Sequence, residues 1–182
     1  MNTPSQEPSP RVGAQFMLAH PAHLLALGFG SGLSPKAPGT VGTAWAWLAF
    51  LALEPWMNDQ RWAVLLALAL LVGWWACSVT ARNMQRPDPG QVVWDEVIAF
   101  WLILWLLMPA SLPEQAVAFV LFRLLDALKP GPIGWADQLF HKKEFMSGLS
   151  QWPRAGLGIL LDDLVAAGCT LLIMALWKIS WP

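Results

Sequence analysis

The chain has 182 residues, of which 56% are hydrophobic and only 13% are charged. Soluble domains average about 25% charged residues, so this composition argues against a free-standing cytosolic enzyme and against a disordered chain. The net charge of −1 argues against a nucleic-acid partner. Thirteen Trp residues and no Tyr fit a membrane protein, because Trp concentrates at membrane–water interfaces. The composition therefore predicts one helical domain that is integral to a membrane.

The N-terminal segment differs from the rest of the chain. Up to Pro10 it is rich in Pro and Ser, and it lacks the basic region and the long apolar core of a signal peptide. We expect a disordered tail over residues 1–14 and a single helical membrane domain over residues 15–182.

Five apolar stretches predict membrane-crossing helices. In chain order they cover residues 41–56, 62–81, 91–108, 114–128 and 157–177. The stretch 62–81 is the clearest, since it is long enough for a hydrocarbon core of about 30 Å. The less hydrophobic stretch 16–29 predicts an interfacial or re-entrant helix. The predicted fold is all-α, a polytopic helical membrane protein of about five spans plus this N-terminal helix.

The charged residues are distributed unevenly in this topology. Eight of the 11 Lys and Arg residues lie on the side that holds the N-terminal region and the segments 82–93 and 129–155. The positive-inside rule makes that side cytoplasmic. Seven acids fall at the cytoplasmic ends of the predicted spans: Asp88, Asp95, Glu96, Asp126, Asp137, Asp162 and Asp163. Carboxylates at the membrane edge are costly unless they are paired, metal-bound or hydrated, so we interpret them as functional.

A cation would hold such acids together, since several carboxylates at one site repel each other. Mg²⁺ prefers oxygen ligands and binds through one or two carboxylates together with phosphate oxygens and water. The three His residues are scattered and both Cys residues lie in apolar stretches, where we interpret them as small buried hydrophobes, so zinc is disfavoured.

Two further features suit an anion. Arg123 and Lys129 flank Asp126 at three residues on either side, and they either balance its charge or clamp a phosphate. The glycine-rich segment 28–43 lacks the Gly-Lys-Ser/Thr ending of a nucleotide-binding loop. Its backbone N–H groups would suit an anion at the start of the next helix; alternatively, its Gly and Pro residues only shape a re-entrant turn.

Four blocks of the sequence together resemble the phosphatidylglycerophosphatase A family. They are residues 30–35 with 37–42; Asp88 with 93–96; 122–126 with 129–130 and 132–133; and 158–159 with 162–163 and 167–168. The resemblance covers about residues 21–168. Ala99 stands where a Gly is expected, and residues 142–155 look like an insertion. The resemblance implies a Mg²⁺-dependent lipid phosphatase of the bacterial cytoplasmic membrane that converts phosphatidylglycerophosphate to phosphatidylglycerol.

This reaction assigns predicted roles to the candidate residues, with the active site facing the cytoplasm. The predicted catalytic residues and Mg²⁺ ligands are Asp95, Glu96, Asp126, Asp162 and Asp163. The predicted substrate-binding residues are Gly32, Gly39, Thr40, Arg123 and Lys129. Three questions stay open: whether water or one of the acids attacks the phosphate, whether one or two metals bind, and which oligomeric state the protein has. The alternatives are a phosphatase for another lipid phosphomonoester, a transporter, and a non-catalytic membrane protein.

Overall fold

The computed structural model describes residues 12–131, 134 and 151–180. These residues are helical and contain no strand, so the all-α prediction is confirmed for them. The elements are α1 (Ala14–Leu18), α2 (Pro21–Ala26), a 3-10 segment (Gly28–Leu33), α3 (Pro38–Leu53), a 3-10 turn (Glu54–Trp56), α4 (Asp59–Met84), α5 (Trp94–Leu107), α6 (Leu112–Leu128) and α7 (Gln151–Ser180). Each of the five predicted apolar stretches overlaps one of the helices α3 to α7.

The N-terminal stretch departs from the prediction of one interfacial or re-entrant helix. It is divided into α1, α2 and the 3-10 segment. Pro21 begins α2, and the ring nitrogen of His20 accepts the N–H of Ala22 at 3.1 Å. Phe29 and Gly30 then adopt positive φ angles of 54° and 106°, which no continuous helix accommodates. Helix α1 starts within the segment predicted as a tail, whose residues 1–11 lie outside the described part.

Two of the described helices meet the length and composition of a membrane span. They are α4, with 26 residues, and α7, with 30. Helices α3, α5 and α6 have 16, 14 and 17 residues. At a rise of 1.5 Å per residue these three reach only about 21 to 26 Å. Two of the described helices are therefore long and apolar enough to cross a membrane, and the prediction of about five spans is not confirmed.

Helix α5 forms the core of the molecule. It packs against α3, α4, α6 and α7, and its buried residues extend over almost its whole length. The indole N–H of Trp101 donates to the carbonyl of Ala46 in α3 at 2.8 Å, and that of Trp94 donates to Ala69 in α4 at 3.1 Å. These hydrogen bonds fix the position of α5 relative to both neighbours.

Helix α7 begins at Gln151, six residues before the predicted start. Residues 151–155 of the predicted insertion are therefore helical, and residues 142–150 lie outside the described part. The longer helix places Asp162 and Asp163 about 17 Å from its first residue, rather than near its start. Asp137, another of the seven acids, also lies outside the described residues.

Helices α4 and α7 approach each other closely at Gly156. A Cβ atom at Gly156 would lie 2.2 Å from the Ser78 Oγ and 2.9 Å from the Trp74 carbonyl oxygen. The Trp74 indole N–H also donates to the Pro153 carbonyl at 2.8 Å. The absence of a side chain at this position therefore sets the spacing of the two longest helices.

Replacing Gly156 by Ala should destabilise the protein, because the added methyl group forces α4 and α7 apart. Overpacking costs about 1–3 kcal/mol, which corresponds to a fall in Tm of roughly 3–10 °C, measured by thermal unfolding in detergent. Gly168→Ala is the matched control on α7, since nothing lies within 4 Å of its Cβ position. Equal shifts in the two variants would contradict this account.

Candidate active site

Three carboxylates from two helices meet inside the protein. Asp95 and Glu96 lie in the first turn of α5, and Asp163 lies in α7. One carboxylate oxygen of each lies within 4.8 Å of the others, and we call these three residues the carboxylate cluster. Asp163 is 3% exposed and Glu96 is 8% exposed. The sequence prediction that these acids converge is therefore correct for these three.

The oxygens of the carboxylate cluster are incompletely paired. Asp95 Oδ1, Glu96 Oε2 and Asp163 Oδ2 are buried and have no hydrogen-bond partner among the described residues. Burial of an unpaired carboxylate oxygen carries a large desolvation penalty. The positive end of the α5 dipole offsets only about 0.3–1 kcal/mol of it. Three converging carboxylates, each with an unpartnered oxygen, fit the ligand set of a divalent cation that takes oxygen ligands.

Arg123 connects α6 to this cluster. Its Nη1 lies 2.5 Å from Asp126 Oδ2 and 3.5 Å from Glu96 Oε1. Its Nε is buried and has no hydrogen-bond partner in the described part of the chain. Asp126 also interacts electrostatically with Asp163. Arg123 therefore balances Asp126, as one interpretation of the sequence predicted, while its buried Nε–H has no partner among the described residues.

Asp162 and Lys129 form a second ion pair. The Lys129 Nζ lies 2.6 Å from Asp162 Oδ2. Lys129 ends α6 with a left-handed backbone, φ 44°. The other Asp162 oxygen accepts the N–H of Asp163 at 3.1 Å. Consecutive residues of a helix point about 100° apart, so the two neighbouring acids of α7 face different partners.

The N-terminus of α3 contacts the carboxylate cluster through Gly39. A Cβ atom at Gly39 would lie 2.2 Å from Glu96 Oε1 and 2.8 Å from Arg123 Nη2. Thr40 follows in the same first turn, whose backbone N–H groups lack the acceptors that later residues of a helix have. Of the predicted glycines, the structure therefore brings Gly39 to the site.

Gly32, another of the predicted substrate-binding residues, lies against the backbone of a neighbouring loop. A Cβ atom there would lie 2.1 Å from the carbonyl oxygen of Gln91. Gly32 therefore permits a close backbone contact between the 3-10 segment and the loop between α4 and α5. The structure does not place it against the carboxylate cluster.

One side chain beside the carboxylate cluster, and a second one turn further along the same helix, were not predicted. Cys77 of α4 is fully buried and lies close enough to Glu96 and Asp163 to interact with them electrostatically. Thr80, one turn further along α4, is fully buried and its hydroxyl has no hydrogen-bond partner within the described residues. Gly73, Cys77 and Thr80 lie at positions i, i+4 and i+7 of α4, so they share one face of that helix. This spacing is the sequence pattern that could have identified the two side chains. Cys169 is partly exposed, which corrects the expectation that both thiols are buried.

Comparison with known proteins places the chain among lipid phosphatases. Phosphatidylglycerophosphatase A of Escherichia coli (strain K12) is 36% identical over 169 residues, which cover 93% of this chain and 90% of that protein. Phosphatidylglycerophosphatase A of Haemophilus influenzae is 35% identical over 150 residues, covering 82% and 84%. A Bacteroides thetaiotaomicron protein, provisionally named a phosphatidylinositol-3-phosphatase, is 31% identical over 171 residues, covering 86% and 94%. No solved structure matches the chain.

The family comparison includes every residue of the site described above. The sequence model of Phosphatidylglycerophosphatase A matches residues 24–178, which contain the carboxylate cluster, both ion pairs and the N-terminus of α3. The predicted resemblance is thereby confirmed. With this match and two relatives of the same name above 30% identity, the chain belongs to the phosphatidylglycerophosphatase A family, whose members are phosphatases.

Proposed function

We propose that the protein hydrolyses phosphatidylglycerophosphate to phosphatidylglycerol and inorganic phosphate, with Mg²⁺ held at the carboxylate cluster. The observation that carries this proposal is the set of three buried carboxylate oxygens without partners, next to Arg123. Membership of the family supports the phosphatase activity, and the names of two relatives support the substrate.

Asp95, Glu96 and Asp163 are the residues that would hold the metal. Their donor atoms are all oxygens, as Mg²⁺ prefers. When bound, Mg²⁺ supplies electrostatic stabilisation of the phosphoryl oxygens. Asp126 and Asp162, which the sequence also nominated as ligands, are instead paired with Arg123 and Lys129. In this proposal those two acids position the cations.

The protein would bind the phosphomonoester between the N-terminus of α3 and Arg123. Backbone N–H groups of the first turn, at Gly39 and Thr40, suit phosphate oxygens. The Arg123 guanidinium group lies directly against Gly39, so it would add charge-assisted donors on the same side. Water would attack the phosphorus, and the bond from phosphorus to the glycerol oxygen would break as the new P–O bond forms. A carboxylate of the cluster would accept the proton of the attacking water and return it to the leaving glycerol oxygen.

We further propose that the enzyme crosses the bacterial cytoplasmic membrane several times, with the active site facing the cytoplasm. Large apolar side chains are exposed on three of the helices, including Leu68 and Leu71 on α4, Val120 on α6, and Leu172 and Leu176 on α7. These side chains suit contact with lipid. The excess of Lys and Arg in the connectors on one side supports the orientation.

A second candidate substrate is another lipid phosphomonoester. The Bacteroides thetaiotaomicron relative, with its provisional name of phosphatidylinositol-3-phosphatase, favours this alternative, because it covers 86% of the chain. Parallel assays with phosphatidylglycerophosphate and phosphatidylinositol 3-phosphate distinguish the two. We expect the larger kcat/KM for phosphatidylglycerophosphate.

Removal of divalent cations should abolish activity. We expect EDTA to stop phosphate release from phosphatidylglycerophosphate and Mg²⁺ to restore it. Asp163→Asn removes a ligand charge, so it should lower kcat by about 10²–10³ and raise the Mg²⁺ concentration needed for half-maximal rate. Asp59→Asn, which changes an acid at the start of α4, is the control. Full activity in EDTA, or an unchanged Mg²⁺ dependence of Asp163→Asn, would refute the metal assignment.

Arg123→Lys should reduce catalysis more than stability. Lysine keeps the positive charge beside Asp126 and Glu96 but loses the planar fork and the Nε donor. We expect kcat/KM for phosphatidylglycerophosphate to fall roughly 10-fold to 100-fold while Tm in detergent changes little. The control is Arg61→Lys, because Arg61 is exposed in the first turn of α4. Unchanged kinetics, or a Tm loss that parallels the loss of activity, would assign Arg123 a structural role.

Gly39→Ala should impair the site without preventing folding. The new methyl group would displace the Glu96 carboxylate and the Arg123 guanidinium, whereas Ala favours helix at this position. We expect a loss of at least about tenfold in kcat with Tm maintained, measured on the purified protein. Gly13→Ala is the control, since nothing lies within 4 Å of its Cβ position. A wild-type kcat in Gly39→Ala would contradict this prediction, because it would show that catalysis does not depend on the close contact between α3 and Glu96.

A further inference from the structure

A cavity of about 460 Å³ lies beside the glycine-rich segment. The segment contributes Leu33, Ser34, Pro35 and Pro38, and the loop between α4 and α5 contributes Arg86 and Gln91. Its volume lies in the range of about 300–1,000 Å³ that is typical of small-molecule sites. We call it the headgroup cavity. The proposed hydrolysis of the phosphomonoester does not use these residues.

The headgroup cavity adjoins the proposed phosphomonoester site. Pro38 lines the cavity, and the next residue, Gly39, lies directly against Glu96 and Arg123. Consecutive Cα atoms are about 3.8 Å apart, so the first turn of α3 separates the two sites by the thickness of one backbone. One extended ligand would therefore reach both.

Arg86 provides a cation in this cavity. Its side chain is exposed, and no carboxylate lies within ion-pair distance of it among the residues that the structure describes. Its backbone N–H donates to the Ala81 carbonyl at 3.1 Å, directly after the left-handed Gln85 that ends α4. The backbone of Arg86 is thus anchored, while the guanidinium group is available to an anion. Asp88 in the same loop is also exposed, and it is the nearest acid in the sequence.

We propose that the headgroup cavity binds the phosphodiester group of the lipid substrate, with Arg86 donating hydrogen bonds to it. This inference rests on the proposed function. Phosphatidylglycerophosphate carries two phosphates joined by a three-carbon glycerol bridge, and the carboxylate cluster with Arg123 accounts only for the terminal one. The second phosphate stays anionic and requires its own donor. Arg86 would therefore favour lipids that carry a phosphodiester over phosphatidic acid, which has none.

The test compares two substrates of the purified full chain in mixed micelles. Arg86→Gln should raise KM for phosphatidylglycerophosphate roughly fivefold to tenfold, with kcat maintained, because a contact present in both ground and transition states is lost. Its kcat/KM for phosphatidic acid should stay within about twofold of wild type. Arg86→Lys should recover part of the loss for phosphatidylglycerophosphate. Arg82→Gln is the matched control: Arg82 is also exposed, one helical turn earlier, and does not line this cavity.

Product inhibition supplies a measurement that needs no second substrate. Phosphatidylglycerol retains the phosphodiester, whereas inorganic phosphate resembles only the released group. Arg86→Gln should weaken inhibition by phosphatidylglycerol roughly fivefold and leave inhibition by inorganic phosphate unchanged.

Three results for Arg86→Gln would overturn the inference. They are an unchanged KM for phosphatidylglycerophosphate, an equal loss of kcat/KM on both lipids, or an equal weakening of inhibition by phosphatidylglycerol and by inorganic phosphate. A wild-type protein that releases no phosphate from phosphatidylglycerophosphate would instead refute the proposed function. The two failures are therefore distinguishable.

Discussion

Helix α5 begins inside the protein, and its first turn carries two carboxylates into that interior. Asp95 and Glu96 lie where α3, α4, α6 and α7 all pack against one helix. Charge that is removed from water in this way must be balanced by nearby groups. Two neighbours meet this requirement: α6 supplies Arg123, and α3 presents its N-terminus at Gly39. Helix α7 adds a third carboxylate, Asp163, which increases the need for a cation. The position of α5 therefore determines where the site can form.

The tryptophans explain how so short a helix is held in place. Interfacial Trp was the expectation, yet Trp94 and Trp101 are buried and donate to carbonyls of α4 and α3. Trp47 likewise joins α3 to Gln115 of α6 at 2.7 Å. A helix carbonyl has a second lone pair beyond its own helical hydrogen bond, so an indole from a neighbouring helix is satisfied there. A buried Trp therefore fills interior volume and also donates a hydrogen bond to a neighbouring helix, whereas Phe has no donor and can only fill volume.

The two ion pairs divide the acidic residues into distinct groups. Arg123 holds Asp126 beside the carboxylate cluster, and Lys129 holds Asp162 away from it. Lys129 lies at the C-terminal end of α6, where the helix dipole favours positive charge. A site that would otherwise concentrate five carboxylates therefore keeps three of them together in the carboxylate cluster. The same end of the molecule carries the headgroup cavity, which extends the site along the glycine-rich segment.

By itself the sequence determined the all-α class, the approximate extents of helices α3 to α7, and the candidate residues Asp95, Glu96, Asp163 and Arg123 that the structure brings together. Apolar runs, and acids within an apolar chain, are local features that can be interpreted from the sequence without knowledge of tertiary contacts. Tertiary structure decided which residues meet. Asp162 and Asp163 are equivalent in the sequence, and only the rotation of α7 against α5 and α6 separates them. The neighbours of Gly39, Cys77 and Arg86 likewise come from distant segments of the chain. Such contacts depend on how helices and loops pack against each other, and no local sequence pattern encodes that geometry.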